Sequence, residues 1–290
     1  AASMREVTWR LPSLTEFVSE YARSDLLPHI EAPRLRRLTA DVLLPDLPRL
    51  MQAFPTLEAI SAPKQINTPP PSPAEVTELV AAILGAATAA TAAAAEEKVG
   101  PCQWSRTLKS CLLQSVPQEV AAAIGAHWKA LEELELVLCP PCHPSLVRYL
   151  LGQLPKLRRL SLSTASNQLR RAADSAASPL QTSERISCPD LLELSLKGIA
   201  APSFSGLSAP ALTRLSIASS GDGPAVDLSA VFTAAPVLQT LLLTRVSAQF
   251  DEKAVAPRLQ RLGLACVSCS SDSLLALLRS CTALSRLSVL

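Results

Sequence analysis

The 290-residue sequence spells an α/β solenoid, a horseshoe of stacked coils with a concave parallel sheet and a convex side on which helices alternate with extended segments. Three observations lead there. The phrase P-x-L-x-x-L-x-L recurs, as APRLRRLTA, FPTLEAISA, LPKLRRLSL, CPDLLELSL, APALTRLSI, APVLQTLLL and APRLQRLGL, with looser copies in LPSLTEFVS, KALEELELV and CTALSRLSV. Its first leucine falls at 14, 35, 57, 131, 157, 191, 212, 238, 259 and 284, so all but one of the spacings run from 21 to 34 residues. The gap of 74 holds a degenerate copy at Leu108, Cys111 and Leu113 together with an insert. Composition agrees: 51 Leu and 44 Ala stand against 3% aromatics and 9 Gly. That is too much leucine for a disordered chain and too few aromatic residues and turn glycines for a β-sandwich.

The physics of the phrase assigns each element. In L-x-x-L-x-L the first leucine enters the core at a turn, and the last two alternate along a short strand and face inward together. One such unit cannot bury its apolar face alone, so the units stack. Proline ahead of the phrase ends the preceding helix and removes the N–H that a helix would use. Leu146, Leu150 and Leu154 are spaced for a convex helix, as are Leu274, Leu277, Leu278 and Cys281, with Asp272 or Ser273 as the expected cap. VPQEVAAAIGAHWKAL is a further helix, with Pro117 near its first turn and Val120, Ile124 and Trp128 inward. The 21-residue coils, such as KGIAAPSFSGLSAP and TRVSAQFDEKAVAP, are too short for a full helix and cross in extended form. Residues 63–99 form a Pro/Ala-rich insert, a loop plus a helix of weak packing value, and residues 163–187 a Ser/Ala-rich surface loop. The phrase resumes beyond each, so residues 1–290 are one expected domain. AASMREV at the start and RLSVL inside a repeat strand at the end mark it as a fragment cut at both ends.

Several function classes are disfavoured at once. Net charge is only +2, from 27 basic and 25 acidic residues, so no bulk field draws nucleic acid or an anionic membrane. Neither GxGxxG nor GxxxxGK[ST] is present. The apolar run Leu79 to Ala95 is 17 residues of mostly Ala and Thr bordered by glutamates, the pattern of an Ala-rich soluble helix. The eight cysteines accompany a leucine core that needs no disulfide staple, and neither Asn67 nor Asn167 begins a glycosylation sequon. The expectation is an intracellular protein, cytoplasmic or nuclear.

SCPDLLELSLKGI, RSCTALSRLSVL and LEELELVLC look like the cysteine-containing form C-x-x-L-x-x-L-x-L-x-x-C. With the alternation of helix-bearing and shorter APxLxxL repeats, the whole chain resembles leucine-rich-repeat proteins of the F-box-associated, plant-type kind. That resemblance implies a leucine-rich-repeat solenoid acting as the substrate-recognition part of an F-box-type ubiquitin-ligase receptor. Its adaptor would bind through a domain outside this chain, because no F-box fits within it. One departure is clear. Many leucine-rich repeats place Asn eight residues after the first leucine, whereas this column holds Cys139, Ala165, Ile199, Ser220, Val246 and Val267. The alternative is a leucine-rich-repeat scaffold or regulator, GTPase-regulator-like or immune-type, with no ubiquitin link.

Chemistry has few candidates. Cys139-Pro-Pro-Cys142-His143 spells CxxCH, and Cys266 and Cys269 make a second CxxC, so a remote alternative is a thiol-redox or metal-binding protein. Cys139 stands in an ordinary repeat column, however, and the two pairs lie several coils apart. His29, His127 and His143 stand in no recognisable catalytic motif. The expectation is therefore no enzyme, no catalytic residues, no metal and no cofactor. The stronger candidate is the column two residues after each first leucine, which points out of the concave sheet. Arg37, Arg159, Glu193, Arg214, Arg261 and Arg286 fall there, followed two residues on by mostly small side chains. Guanidinium groups standing clear along a shallow floor grip carboxylates or phosphates in bidentate fashion. They nominate a protein partner on the concave face, with no nucleic acid and no membrane.

Overall fold

A computed structural model describes residues 9–23, 27, 30–62, 71–84, 103–140, 142–164, 185–199, 202–219, 225–249 and 255–289. Contacts gather into two compact units, Ala1–Leu131 and Glu132–Leu290. The first contains β1 (Trp9–Arg10), β2 (Glu16–Arg23), β3 (Ile30–Glu31), β4 (Arg37–Asp41), α1 (Leu47–Ala53), β5 (Ala59–Ser61), α2 (Pro73–Ile83), α3 (Trp104–Thr107), β6 (Ser110–Val116) and α4 (Gln118–His127). Strands β2, β4, β5 and β6 are neighbours in one parallel sheet, and β1 pairs with β3. The degenerate repeat takes its place: Cys111 lies opposite Ile60, and Leu108, Cys111 and Leu113 are buried.

The second unit contains β7 (Glu133–Leu138), α5 (Ser145–Gln153), β8 (Arg159–Thr164), β9 (Ile186–Ser187), β10 (Glu193–Lys197), β11 (Leu207–Ser208), β12 (Arg214–Ala218), β13 (Val226–Asp227), α6 (Leu228–Ala234), β14 (Thr240–Thr244), β15 (Ala248–Gln249), β16 (Arg261–Ala265), α7 (Ser271–Ser280) and β17 (Arg286–Val289). Its main sheet is parallel throughout, in the order β7, β8, β10, β12, β14, β16, β17. Short pairs β9–β11 and β13–β15 form among the return segments. Each unit is thus α/β, with one parallel strand per repeat and helices in the connections, the arrangement expected of stacked coils.

The repeat phrase reads directly onto this geometry. The N–H of the first leucine donates to the carbonyl three residues earlier in coil after coil: Leu35 to Ala32, Leu57 to Phe54, Leu157 to Leu154, Leu212 to Ala209, Leu259 to Ala256. Proline therefore does more than stop a helix. Pro33, Pro55, Pro155, Pro210 and Pro257 each occupy the second position of a four-residue turn, where a fixed φ is favourable. The carbonyl one residue past the first leucine then accepts two N–H groups from the next coil, as Arg36 does from Glu58 and Ala59, and Arg158 from Leu192 and Glu193. Turn and ladder together fix the register.

The missing Asn column has a similar resolution. The residue after the strand turns into the left-handed region, with φ of 72° at Gly198, 54° at Arg245 and 53° at Cys266. That turn region bonds straight to the next coil, Gly198 N–H to Ala218 O and Arg245 N–H to Ala265 O. Backbone satisfies backbone there, and no side-chain amide is needed.

Helices sit largely where spacing placed them. Val120, Ile124 and Trp128 are buried beside α4, and Leu146 and Leu150 on α5. The returns between Leu191 and Leu212 and between Leu238 and Leu259 carry, among the described residues, the short strands β11 and β15 and no helix, as expected from their length. Two points differ. The 22-residue coil between Leu35 and Leu57 accommodates the two-turn helix α1, which starts at Leu47 with Pro48 in its first turn, after a single 3₁₀ turn. Helix α7 is capped by Ser270, whose hydroxyl accepts from the Ser273 N–H, so the cap lies upstream of both Asp272 and Ser273. In the expected 63–99 insert, the described part is α2, closed by a Ser72–Glu75 capping box, with Leu79 and Ile83 buried and packed against α1 and α4. Residues 63–70, 85–99 and most of the 163–187 loop lie outside the described residues.

Candidate functional site

Along the strands of the second unit from β7 to β16 the burial alternates, and the residues two and four places after the first leucine face away from the core, while β17 is exposed along its length. The register aligns the nominated column into one row: Glu133, Arg159, Glu193, Arg214, Thr240, Arg261 and Arg286 on successive neighbouring strands. Five of the six nominated residues belong to this row. Arg37 lies in the first unit, in register with Glu16 and Ala59.

The arginines do not all stand clear. Arg159 Nη1 lies 2.9 Å from Glu133 Oε1, and Arg214 Nη1 lies 3.4 Å from Glu193 Oε2. Both pairs are well exposed, so each contributes about 0–1 kcal/mol and its guanidinium exchanges readily for another carboxylate. Arg261 and Arg286, directly opposite one another on β16 and β17, have no ion-pair partner among the described residues. Beside them lies a shallow hollow of about 430 Å³ whose lining includes Leu242, Gly263 and Ser288. Leu242, 44% exposed, overhangs that glycine so closely that a Cβ there would meet its Cδ2 at 2.7 Å. The leucine was visible in the exposed column, but its overhang across Gly263 needed coordinates.

The thiol candidates separate. Cys139 and Cys142 are half-buried free thiols, the Cys142 Sγ donating to the Cys139 carbonyl at 3.1 Å. The neighbouring His143 accepts the Ser145 N–H at Nδ1, 3.1 Å away, at the start of α5. Cys266 and Cys269 are exposed. The β7 and β16 strands that precede the two pairs stand five positions apart in the sheet, roughly 24 Å at about 4.8 Å per step. No group of three potential ligands comes together among the described residues. Burial pushes the thiols of Cys111, Cys139 and Cys281 up and that of Cys188 up to about 11. Since the thiolate is the nucleophile, a maleimide at pH 7 is expected to modify Cys266 and Cys269 well before these four. Peptide mapping by mass spectrometry reads the order, and early loss of Cys111 or Cys188 would contradict the buried placement. His127 ends α4, and His29 lies outside the described residues.

The fold and this row define a class: a repeat protein that presents one in-register polar face on a parallel ladder. No family model matches the chain, and no curated protein matches it. Among solved structures it is similar to the yeast crystal structure of a Rad7 and Elc1 complex, at TM-score 0.43 and 17% identity over 94% of this chain and 75% of that one. At that level of likeness the assignment rests on the chain's own register and burial. No helix among the described residues is long and apolar enough to cross a membrane.

Proposed function

We propose that the chain is a non-enzymatic recognition scaffold, a leucine-rich-repeat solenoid whose open sheet face, concave in this reading, docks another protein. In the finer form of the proposal it is the substrate-recognition part of an F-box-type ubiquitin-ligase receptor that works inside the cell without a cofactor. The observation that carries the docking reading is the charged row. A parallel ladder holds long side chains in fixed register, and an ordered surface loses little entropy when a partner settles on it. Arginine suits such a face, since its planar fork pairs two oxygens at once. The ligase link is supported by the cysteine-bearing repeats and by the alternation of helical and extended returns.

The test compares captured proteins from a lysate of the source cells, using the wild-type chain and the triple variant Arg214→Glu, Arg261→Glu, Arg286→Glu. The expected result is loss of the wild type's enriched proteins by a variant whose thermal melt is unchanged. Equal recovery by both removes the docking face. For the ligase reading, the full-length protein is co-expressed with a ubiquitin-ligase adaptor and a cullin. Failure to co-purify leaves the scaffold reading without the ubiquitin link.

A further inference from the structure

We infer that the hollow between β14, β16 and β17 takes an acidic segment of a partner protein that presents an aliphatic side chain next to a carboxylate. This deepens the docking reading and rests on it. Three features of the second unit converge. The first is a break in charge balance along one row. From β7 to β12 each guanidinium has a carboxylate on the adjacent strand, Arg159 with Glu133 and Arg214 with Glu193. At β16 and β17 the row instead sets Arg261 against Arg286. Neighbouring strands are about 4.8 Å apart, and like charges directly opposite one another destabilise a sheet. A carboxylate placed between the two forks relieves that repulsion and completes the pattern that the earlier coils make for themselves.

The second feature is the hollow itself. In the column four residues after the first leucine the unit carries Glu135, Ser161, Ser195, Ser216, Leu242, Gly263 and Ser288. Only Gly263 lacks a side chain, and Leu242 leans into the space this leaves; the open hollow beside them has a volume of about 430 Å³. The third is Leu242. It is the sole aliphatic residue of that column, and it leans over Gly263 with 44% of its surface in solvent. Serine would serve solubility better, and serine fills the same column on β8, β10, β12 and β17. A leucine wall beside two unpaired cations selects an apolar group next to an anion.

The chemistry favours a protein segment over nucleic acid. The chain as a whole has a net charge of only +2, and the rows beside the hollow offer hydroxyls and a leucine with no aromatic ring for base stacking.

The probe is a fluorescein-labelled peptide, GELEELG, titrated with the full chain and followed by fluorescence anisotropy. Companion peptides replace Glu by Gln, or carry phosphoserine for Glu and alanine for Leu. The expected result is saturable binding of GELEELG that weakens at least tenfold on Arg261→Glu with Arg286→Glu. Leu242→Ser weakens it severalfold, and Arg279→Ala, at an exposed arginine in the last turn of α7 away from the row, leaves it unchanged. The double Arg→Lys variant, retaining charge, binds better than the double Arg→Glu variant. Circular dichroism melts accompany each variant, and Leu242→Ser already matches the residue of neighbouring coils. Equal binding of the glutamine peptide overturns the assignment, as does stronger binding of the phosphoserine peptide without leucine. So does absence of binding to a folded chain at ~1 mM peptide. Suppose partner capture is lost in the triple variant while GELEELG binds wild type and Arg261→Glu, Arg286→Glu alike. Then this assignment fails and the docking face stands. If capture is indifferent to the triple variant, the docking face itself fails.

Discussion

Leu215→Ala lowers the unfolding free energy by about 2–5 kcal/mol, the range for a leucine removed from a core that relaxes only in part. Leu215 is the inward residue at the second position of β12, fully buried, with Leu194 of β10 and Leu241 of β14 beside it in register. Its side chain packs between two coils, and in a stack each coil is stabilised chiefly by its neighbours. Deleting it therefore weakens two interfaces at once. Leu287 occupies the same column on β17 but is 47% exposed. Leu287→Ala costs less than about 1 kcal/mol, because little apolar surface changes environment. Urea denaturation followed by circular dichroism compares the two. Similar losses from both would show that the leucine layer is not what holds the coils together.

Trp104→Ala lowers stability by about 3–5 kcal/mol through loss of a buried indole. Trp104 is fully buried on the one-turn helix α3, and its Nε1 donates to the Phe54 carbonyl at 2.8 Å. Its ring meets Trp128 edge-on, with centroids 5.8 Å apart. The indole thus ties the end of α1 to the segment leading into β6. Trp128 is as deeply buried, yet its Nε1 has no hydrogen-bond partner among the described residues. Phenylalanine separates the two roles. Trp104→Phe leaves the Phe54 carbonyl unpaired, whereas Trp128→Phe removes a donor that was already unsatisfied, so Trp104→Phe is the more damaging. Thermal melts of the full chain give the order, and the reverse ranking would mean that the hydrogen bond does not anchor this helix.

Much of this was legible beforehand for a simple reason. A repeat writes the same environment many times, so position within the phrase predicts burial in the inner copies, whereas Leu14 and Leu284 in the first and last copies are only half-buried. Leu35, Leu57, Leu131, Leu157, Leu191, Leu212, Leu238 and Leu259 are all buried, and Cys111 does a leucine's work in the degenerate coil. The exposed column was equally readable, including the Glu133–Arg159 and Glu193–Arg214 adjacencies, although their ion pairs were not foreseen. Features that depend on residues far apart in sequence gave no signal. The Trp104–Phe54 bond spans 50 residues and the intervening insert. Arg148 likewise reaches from α5 to the carbonyls of Ser203 and Ser205 through no motif.

Periodicity set which side chains enter the core and which line the open face, because alternation along a strand and the length of each return are local properties of the chain. Register between coils belongs to the folded molecule. It decided that Arg159 and Arg214 pair with the carboxylates beside them, that Leu242 overhangs Gly263, and that the turns at Gly198 and Arg245 bond to the next coil. Those relations exist only across the ladder, where the hydrogen bonds of one coil fix the height of the next.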